Sequence, residues 1–553
     1  MEAQREPPAR AESPESPRAR EPSASLLGWR SASDLLGPWN FYFIAKLLLF
    51  WRGLIGFHLL ENLALAVALA VPLASSRWRR IRHAVAAPVA VALLYHDSWL
   101  PGASRVIEKA GLVSGFSAAY LAELAGRFVS VPVLALLAVA AAIYFVLARF
   151  VRMDAPVIAA MLALPLLLAA PRPQEGGGAS AAIAAAPERA LPTPDAQLEA
   201  FFRKEAPRAV TFPRPPEGSA PFDVVLLHVC SLSWDDLQAT GQERHPLLGS
   251  FDIVLGRFNS ASTYSGPSVI RFLRAPCGQV PQGALYAPAP EGCLLAAALE
   301  GAGFETNLVL NHDGHFDDFL SYVRKQGVKA PVMPLKGIPA PQRSFDESQI
   351  HDDEAVLARW LESRGKSPAA RVAAIYNTVS LHDGNRLVAD PKTNSRDTYK
   401  ARQVKLLGDL EGFMKKLEAG KRPTVVILVP EHGAAVRGDA AQISGLREIP
   451  TPAITRVPVG IRVLGPGARR VGEPVRIDEP TSYLAMSHIL SRMLAKPPFG
   501  AGGFRPAEYV AGLPGTDFVA ESEAAVVQRY GEKYLWRQGK EAWRELPASP
   551  GLE

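Results

Sequence analysis

The sequence predicts an α-helical multispan membrane anchor followed by an α/β sandwich domain with a mainly parallel sheet. Long Ala, Leu and Val runs lie between Phe41 and Ala170 of the 553 residues, and this concentration of apolar residues predicts the anchor. In the rest of the chain, short and nearly continuous apolar runs alternate with segments of helical period. That alternation is typical of an α/β domain whose strands are buried on both faces of the sheet.

Residues 1–38 are rich in Arg, Glu, Pro and Ser and lack an apolar pattern, which predicts a disordered cytoplasmic tail. A transmembrane helix requires roughly 20 apolar residues. By that length, the apolar stretches within residues 39–171 predict about five transmembrane helices. The stretches lie at 40–57, 58–75, 83–100, 129–149 and 154–171. The first two, within 40–75, could instead form one span and an interfacial helix.

Arginines near residues 77–82 and 149–152 predict cytoplasmic loops and place the chain after residue 171 outside the cytoplasm. The segment 103–128 is amphipathic, which predicts a helix on the outer membrane surface. Residues 172–207 are rich in Pro, Gly and Ala and predict a flexible linker.

The remaining residues, 208–553, predict a periplasmic catalytic domain. Apolar runs that predict strands lie at 221–229, 306–311, 371–380, 423–430 and 458–464, and segments of helical period lie at 293–303, 353–365 and 398–420. Active sites of such domains gather at the carboxyl ends of the strands. The residues that follow each run are therefore the candidates for chemistry.

Charge and cysteine content narrow the functional classes. The formal net charge is +6, and the basic residues form no stripe interleaved with aromatic residues, so a nucleic-acid partner is not expected. Of the three cysteines, Cys277 and Cys293 are close in sequence and flank a Pro/Gly-rich loop, which predicts a disulfide in an exported domain. Cys230 remains, and it is either a buried thiol or a ligand.

Four polar motifs follow the predicted strands. Cys230 ends the first strand, Ser265 precedes a Gly-Pro and a helical pattern, His382 follows a later strand, and Glu431 and His432 follow another. A hydroxyl at a helix start faces free backbone amides. Thiolate, carboxylate, imidazole and hydroxyl ligands together predict a four-coordinate Zn²⁺ site, in which the metal would lower the pKa of the serine hydroxyl. Taken singly, a Glu-His-Gly at a strand end is as often a loop turn as a ligand pair, and a Ser before Gly-Pro is more often a helix cap. A histidine such as His382 is, on its own, more often a surface or core residue.

These segments resemble a known family. HVCSLSWDDL, YSGPSVIRFLRAPCGQ, SLHDGNR and VPEHGAAVRGDAAQISGLREIP together are similar to the membrane-anchored phosphoethanolamine transferases of the alkaline phosphatase superfamily. More narrowly, they look like the cellulose phosphoethanolamine transferases of bacterial cellulose-synthesis operons. The resemblance implies an alkaline phosphatase/sulfatase-like fold and a multi-pass protein of the bacterial inner membrane. Two residues set the chain apart from the lipid A-modifying relatives: a cysteine replaces the acidic first ligand, and Glu431 replaces Asp before His-Gly.

The resemblance also implies roles for the residues of these motifs. Ser265 would be the nucleophile, and Cys230, Glu431 and His432 would hold one Zn²⁺ together with the serine oxygen. His382 would transfer a proton to or from a leaving or entering oxygen.

The resemblance places Tyr264 and Arg447 beside the transferred phosphate, where Arg447 would offer a bidentate fork to the oxygens. The alternative for Arg447 is a surface salt bridge with Glu448. The segment 312–318 has a metal-like composition, but a solvated loop explains it equally well, and we assign it no ligands.

The implied reaction moves phosphoethanolamine from phosphatidylethanolamine to glucose 6-hydroxyls of nascent cellulose, with the membrane and cellulose synthase subunits as partners. A sulfatase is disfavoured because Val269 occupies the position where that family requires Arg. Two alternatives remain open. One is a phosphoethanolamine or glycerol-phosphate transferase that acts on another glycan or lipid, and the other is a non-catalytic assembly subunit of a cellulose synthase complex.

Overall fold

The computed structural model describes residues 35–52, 55–98, 115–128, 131–148, 150–169, 192–439 and 441–547. Most of the tail predicted over 1–38 and most of the linker predicted over 172–207 lie outside these residues. The chain forms two compact units. The first comprises residues 1–100 and 131–178, and the second comprises residues 101–130 and 179–553.

The described part of the first unit is helical. Its helices are α1 (Trp39–Trp51), α2 (Leu59–Ala70), α3 (Ser76–Asp97), α5 (Val131–Leu147) and α6 (Asp154–Ala169), whereas α4 (Ala118–Phe128) belongs to the second unit. Within the described ranges, no helix is both long enough and apolar enough to span a bilayer. The anchor of about five spans is therefore not confirmed.

A polar network lies inside this apolar unit. Lys46 and Asp97 form a buried ion pair, and Asn62 links them, because its side-chain oxygen accepts from Lys46 at 2.7 Å and its amide donates to Asp97 at 2.9 Å. Buried charges require such partners, since an unpaired charge in an apolar interior is strongly destabilising.

The described part of the second unit contains three sheets. Its strands are β1 (Asp223–Val229), β2 (Ile253–Phe258), β3 (Glu305–Leu310), β4 (Gln342–Arg343), β5 (Gln349–Ile350), β6 (Val372–Thr378), β7 (Arg386–Leu387), β8 (Thr424–Leu428), β9 (Val459–Leu464), β10 (Val475–Thr481), β11 (Val519–Glu521), β12 (Ala525–Tyr530), β13 (Lys533–Gln538) and β14 (Arg544–Glu545). The large sheet has the order β10-β2-β9-β8-β1-β6-β3. The small sheets have the orders β11-β12-β13-β14 and β5-β4-β7.

The α-helices of this unit either precede β1 or lie between the strands in the chain. They are α4 (Ala118–Phe128), α7 (Pro194–Glu205), α8 (Trp234–Thr240), α9 (Pro246–Gly249), α10 (Ser265–Leu273), α11 (Leu295–Gly301), α12 (Phe319–Lys325), α13 (Asp353–Lys366), α14 (Ser395–Glu418), α15 (Pro452–Thr455), α16 (Tyr483–Ala495) and α17 (Pro506–Val510).

Six of the seven strands of the large sheet point the same way. β1 pairs in parallel with β6 and β8, β3 with β6, and β10 with β2, whereas β9 is antiparallel to both β2 and β8. The α/β sandwich with a mainly parallel sheet is confirmed, with β9 as the exception.

The sheet is covered on both faces, as its continuous apolar strands require. Side chains alternate between faces along a strand. In β1, Val224 and Leu226 join the core that contains α10, α11 and α16, while Val225 and Leu227 join the core that contains α13 and α14. Each side chain of this size contributes about 1.5–3 kcal/mol when it is fully buried. The two cores hold the strands rigidly and fix where their carboxyl ends lie.

Candidate metal and nucleophile site

The predicted metal ligands and the predicted base lie in the chain after strands of the large sheet, at the carboxyl ends of those strands. Cys230 directly follows β1, Glu431 and His432 follow β8, and His382 follows β6. Because β6, β1 and β8 are adjacent and parallel, their ends meet at one edge. Ser265 is the first residue of α10, which the chain enters after leaving β2.

Three side chains converge at this edge. The Sγ of Cys230, a carboxylate oxygen of Glu431 and a ring nitrogen of His432 all lie within 4.8 Å of one another. All three residues are buried, with at most 1% of their surface exposed. The structure thus brings together the three protein ligands that the sequence predicts for the metal.

Ser265 lies against this group, since its Oγ is 3.4 Å from the Sγ of Cys230. As the first residue of the nine-residue helix α10, it sits where backbone N–H groups lack partners inside the helix. Partial positive charge at a helix start favours an anion there. A phosphoryl group attached to the hydroxyl of Ser265 would therefore be stabilised by the start of α10.

Burial sets the protonation of the ligands. Burial, with Glu431 nearby, raises the pKa of the Cys230 thiol well above its usual range. Burial and the charge of Arg447 lower the pKa of His432, so that its imidazole is neutral. A neutral imidazole is the form that binds metals, and a thiol in this setting needs a cation to ionise.

The imidazole of His432 is oriented by the backbone. Its Nδ1–H donates to the carbonyl of Gly433 at 2.9 Å, and its Nε2 lies 4.0 Å from the Sγ of Cys230. Fixing one ring nitrogen through a hydrogen bond leaves the other as the ligand atom.

Glu431 is held by residues that the sequence analysis did not assign. Its Oε1 accepts from the Nδ2 of Asn377 at 2.6 Å, and the Oδ1 of Asn377 lies 2.9 Å from the Nε2 of His312. Glu431 Oε2 is buried and, among the described residues, has no hydrogen-bond partner. Asn377 interrupts the apolar run of β6, and that interruption is the signal that could have revealed it.

Arg447 and Tyr264 also reach the site. The guanidinium of Arg447 lies over the ring of Tyr264, 5.3 Å from its centroid, and its Nη1 is 3.4 Å from the Oγ of Ser231. The hydroxyl of Tyr264 donates to Glu448 at 2.7 Å. Arg447 is buried, with 6% of its surface exposed.

His382 and Ser265 line the same pocket. The Nδ1–H of His382 donates to the carbonyl of Asp383 at 2.7 Å, which leaves Nε2 as the acceptor. Burial and the charge of Arg447 lower the pKa of His382 to about 4, so that the ring is neutral near pH 7. A neutral, oriented imidazole can accept a proton from an attacking hydroxyl.

The helix α4 supports this histidine from a part of the chain that the sequence analysis assigned to the membrane surface. Arg127 donates to both carboxylate oxygens of Asp383, at 2.7 and 2.6 Å, and Tyr120 donates to the same carboxylate at 3.0 Å. Glu123, also in α4, accepts from Arg386 at 2.8 Å. The described end of segment 103–128 is therefore an integral part of the second unit, and its polar face is satisfied by protein groups.

The predicted disulfide is present. Cys277 and Cys293 are bonded, with their Cα atoms 5.1 Å apart, and Cys230 is a free, buried cysteine.

Comparison with known proteins gives two family matches that cover most of the chain. Residues 178–543 match the C-terminal domain of cellulose biosynthesis protein BcsG, and residues 39–166 match its N-terminal domain. The chain is 38% identical over 555 residues to the BcsG protein of Escherichia coli (strain K12), covering 95% of this chain and 98% of that protein. It is 37% identical over 556 residues to the BcsG protein of Salmonella typhimurium (strain LT2), with coverage of 95% and 98%.

Among solved structures, the chain is similar to the integral membrane lipooligosaccharide phosphoethanolamine transferase A of Neisseria meningitidis. The identity is 14%, the TM-score is 0.38, and the alignment covers 86% of this chain and 95% of that one. A score this low carries no weight for the site, and the fold rests on the strand order described above.

Proposed function

The chain belongs to the BcsG family of cellulose biosynthesis proteins, and we propose that it transfers phosphoethanolamine from phosphatidylethanolamine to the glucose 6-hydroxyls of nascent cellulose. The observation that carries this proposal is the convergence of Cys230, Glu431 and His432 on the hydroxyl of Ser265. A scaffold without catalytic activity has no need for a buried thiol, carboxylate and imidazole around one hydroxyl.

The donor set fits Zn²⁺. Sulfur, nitrogen and oxygen ligands at a closed, buried position suit this ion, and the buried Glu431 Oε2, without a hydrogen-bond partner among the described residues, is explained by a cation. Cys230, Glu431 and His432 would hold it, with the Ser265 oxygen completing the set. When bound, the ion would lower the pKa of the serine hydroxyl and offset charge on the phosphoryl oxygens.

The first step forms a bond between Ser265 Oγ and the phosphorus of the donor lipid. The bond between phosphorus and the diacylglycerol oxygen breaks, and the serine proton ends on that oxygen, so that diacylglycerol leaves. In this proposal, Arg447 and the N–H groups at the start of α10 would bind the phosphoryl oxygens; the position of Arg447 over the ring of Tyr264, the residue before Ser265, supports this role.

The second step transfers the group to the glycan. The oxygen of a glucose 6-hydroxyl bonds to phosphorus, and the bond to Ser265 Oγ breaks. His382 Nε2 accepts the hydroxyl proton, which returns to the serine oxygen. The neutral imidazole required for this role agrees with the lowered pKa of His382.

This function places the protein in the inner membrane, with its second unit in the periplasm beside the cellulose synthase subunits that deliver the acceptor. Membership of a cellulose biosynthesis family supports the choice of acceptor. Anchoring would confine the site to the surface where the donor lipid is concentrated.

Mass spectrometry of the peptide that contains Ser265 tests the proposal. The zinc-loaded full chain is incubated with phosphatidylethanolamine vesicles or, separately, with phosphatidylglycerol vesicles. We expect a phosphoethanolamine adduct on Ser265 that disappears when cello-oligosaccharide is added, and no adduct in the Ser265→Ala variant. An adduct from phosphatidylglycerol alone would identify a glycerol-phosphate transferase, and no adduct from either lipid would identify an assembly subunit.

A further inference from the structure

An exposed tyrosine ring lies one side chain away from the nucleophile's helix. Tyr286 is 44% exposed, and its ring packs on that of Tyr322 in α12, with centroids 5.9 Å apart. Tyr322 in turn reaches α10, since a Cβ added to Gly266, the residue after Ser265, would lie 3.1 Å from the Cε2 of Tyr322. The exposed ring is therefore connected to the nucleophile through a single packed side chain.

The loop that carries Tyr286 is held in place at several points. The disulfide Cys277–Cys293 closes the loop at its base. On one side of Tyr286, Leu285 is buried in the core beside α10, and on the other side Arg274 donates to the next carbonyl of the loop at 2.6 Å. A ring on a loop that is already ordered loses little conformational freedom when a ligand binds against it.

The helix that begins at the nucleophile also fixes a second segment near this ring. Arg271 of α10 is buried, and it donates to the carbonyl of Val280, in the Tyr286 loop, at 3.0 Å. The same guanidinium pairs with Glu521 at 3.5 Å, two residues before Glu523. The loop and the segment that carries Glu523 are thus tied to one helix, and their positions relative to the nucleophile are set by it.

Glu523 and two hydroxyls supply polar groups beside the exposed ring. Glu523 is exposed, and its carboxylate forms no hydrogen bond or ion pair with the described part of the chain. Within the same residues, the hydroxyls of Tyr286 and Tyr322 also have no hydrogen-bond partner. Burial and the nearby charge of Glu523 raise the pKa of Tyr286 to about 12, so its hydroxyl is protonated and can donate.

These groups match the surface of a β-linked glucan. In a β-linked glucose unit the hydroxyls are equatorial, so the faces of the sugar ring present C–H groups and the edges present hydroxyls. The apolar face can bury its area on an aromatic ring, while the hydroxyls donate to a carboxylate and accept from a phenol. Successive units of an extended chain repeat this arrangement. One unit can therefore stack on Tyr286 while another places its 6-hydroxyl at Ser265.

We propose that Tyr286, Tyr322 and Glu523 form a subsite for the β-1,4-linked glucan acceptor, beyond the glucose unit that reacts. This inference rests on the proposed function, whose acceptor is nascent cellulose, and it names the residues that select a polymer over a single sugar. The ring of Tyr286 stacks on the face of one glucose unit, and Glu523 accepts from its hydroxyls. Tyr322 lies between this subsite and Ser265.

A matched pair of acceptors tests the proposal on the zinc-loaded full chain, with phosphatidylethanolamine vesicles as the donor. Methyl β-glucoside fills only the reacting position, whereas methyl β-cellotetraoside also reaches the subsite, so the wild type should have the higher kcat/KM for the longer acceptor. We expect Tyr286→Ala to lower this preference on the order of tenfold, as for loss of a stacked aromatic contact. Tyr286→Phe, which keeps the ring, should keep most of the preference, and Glu523→Gln should lower it severalfold.

Tyr530→Ala is the control, because it removes another partly exposed tyrosine, in β12 of a small sheet, whose hydroxyl donates to the carbonyl of Pro192. It should keep the wild-type preference. The phosphoethanolamine adduct on Ser265 should form at the wild-type rate in Tyr286→Ala, because the subsite contacts only the acceptor. An unchanged preference in Tyr286→Ala would overturn the proposal, and so would a loss of the same size in Tyr286→Phe or Tyr530→Ala.

Binding provides a readout that does not depend on turnover. Calorimetry on Ser265→Ala should show tighter binding of cellotetraose than of maltotetraose, whose α-linkages curve the chain, and the added Tyr286→Ala change should remove that difference. Equal binding of the two sugars would overturn the proposal. If the wild type transfers phosphoethanolamine to neither glucoside, the proposed function fails, while this binding comparison still decides the role of the subsite.

Discussion

Asp383 connects the loop that carries His382 to a helix that lies more than two hundred residues earlier in the chain. Its carboxylate accepts from Arg127, Tyr120 and the hydroxyl of Ser395, the last at 2.9 Å. Burial alone would raise the pKa of Asp383, but the hydrogen bonds and the charge of Arg127, together with the charge of Arg447, hold that pKa well below its usual range. Since the carbonyl of Asp383 orients His382, this carboxylate is a positioning group for the proposed base.

Arg127→Ala should destabilise the second unit by about 3 kcal/mol at neutral pH, because it leaves a buried carboxylate without its main partner. The folded pKa of Asp383 lies below its unfolded value of about 3.9, so its stabilisation is present above that pH and is lost as the pH falls through the folded pKa. The difference in melting temperature between wild type and variant should therefore be largest above about pH 5 and should shrink towards pH 3. Thermal melts of the metal-free full chain measure it.

Arg437→Ala is the matched control, because Arg437 pairs with Asp235 at the surface, where 42% of the Arg437 side chain is exposed. Such a pair contributes at most about 1 kcal/mol. A melting difference for Arg127→Ala that does not change with pH would contradict the assigned role of Asp383.

At the scale of elements, the turn between β6 and β7 depends on a glycine. Gly384 has φ +82°, and a Cβ there would lie 2.6 Å from the Cβ of Phe345 and 2.8 Å from the ring of Tyr120. Both neighbours are held by other rings, since Phe345 packs on Phe316 and His382 and Tyr120 packs on Phe116. The turn that carries His382 therefore requires a residue without a side chain.

Gly384→Ala should destabilise the chain by about 2 kcal/mol, through left-handed strain and overpacking, and should lower transferase activity by displacing His382. Gly408→Ala is the control, since Gly408 lies inside α14 with nothing within 4 Å of an added Cβ. That change should instead stabilise the chain by about 0.5–1 kcal/mol. Denaturant unfolding of both variants measures the difference, and equal midpoints would contradict the packing described here.

The elements differ in how well the sequence predicts them. β1, β6 and β8 are continuous apolar runs, so their burial and the residues after them follow from the pattern. The antiparallel direction of β9 could not be predicted, because an apolar run carries no information about which way a strand points. The partner of α4 was missed for a related reason: an amphipathic face fits a membrane surface and a protein surface equally well.

At the scale of the whole molecule, the candidate metal site joins distant parts of the chain. Cys230 and His432 are separated by 202 positions, so the unfolded chain has no preformed site. A ligand that binds only the folded state stabilises it, by about 2.7 kcal/mol at a hundred times its dissociation constant. Metal binding and folding of the second unit are therefore expected to be linked.

The full chain should bind one Zn²⁺ per molecule, and chelation should lower its melting temperature by an amount that depends on the free zinc concentration. Glu431→Gln should abolish most of that shift, since it removes the charge of a ligand while keeping its shape. His315→Ala is the control, because His315 belongs to the metal-like segment 312–318 but its side chain is 87% exposed and lies outside the candidate site. It should keep both the zinc content and the melting shift. Elemental analysis and melts at graded zinc concentrations measure both quantities, and a Glu431→Gln chain with the wild-type shift would place the cation elsewhere.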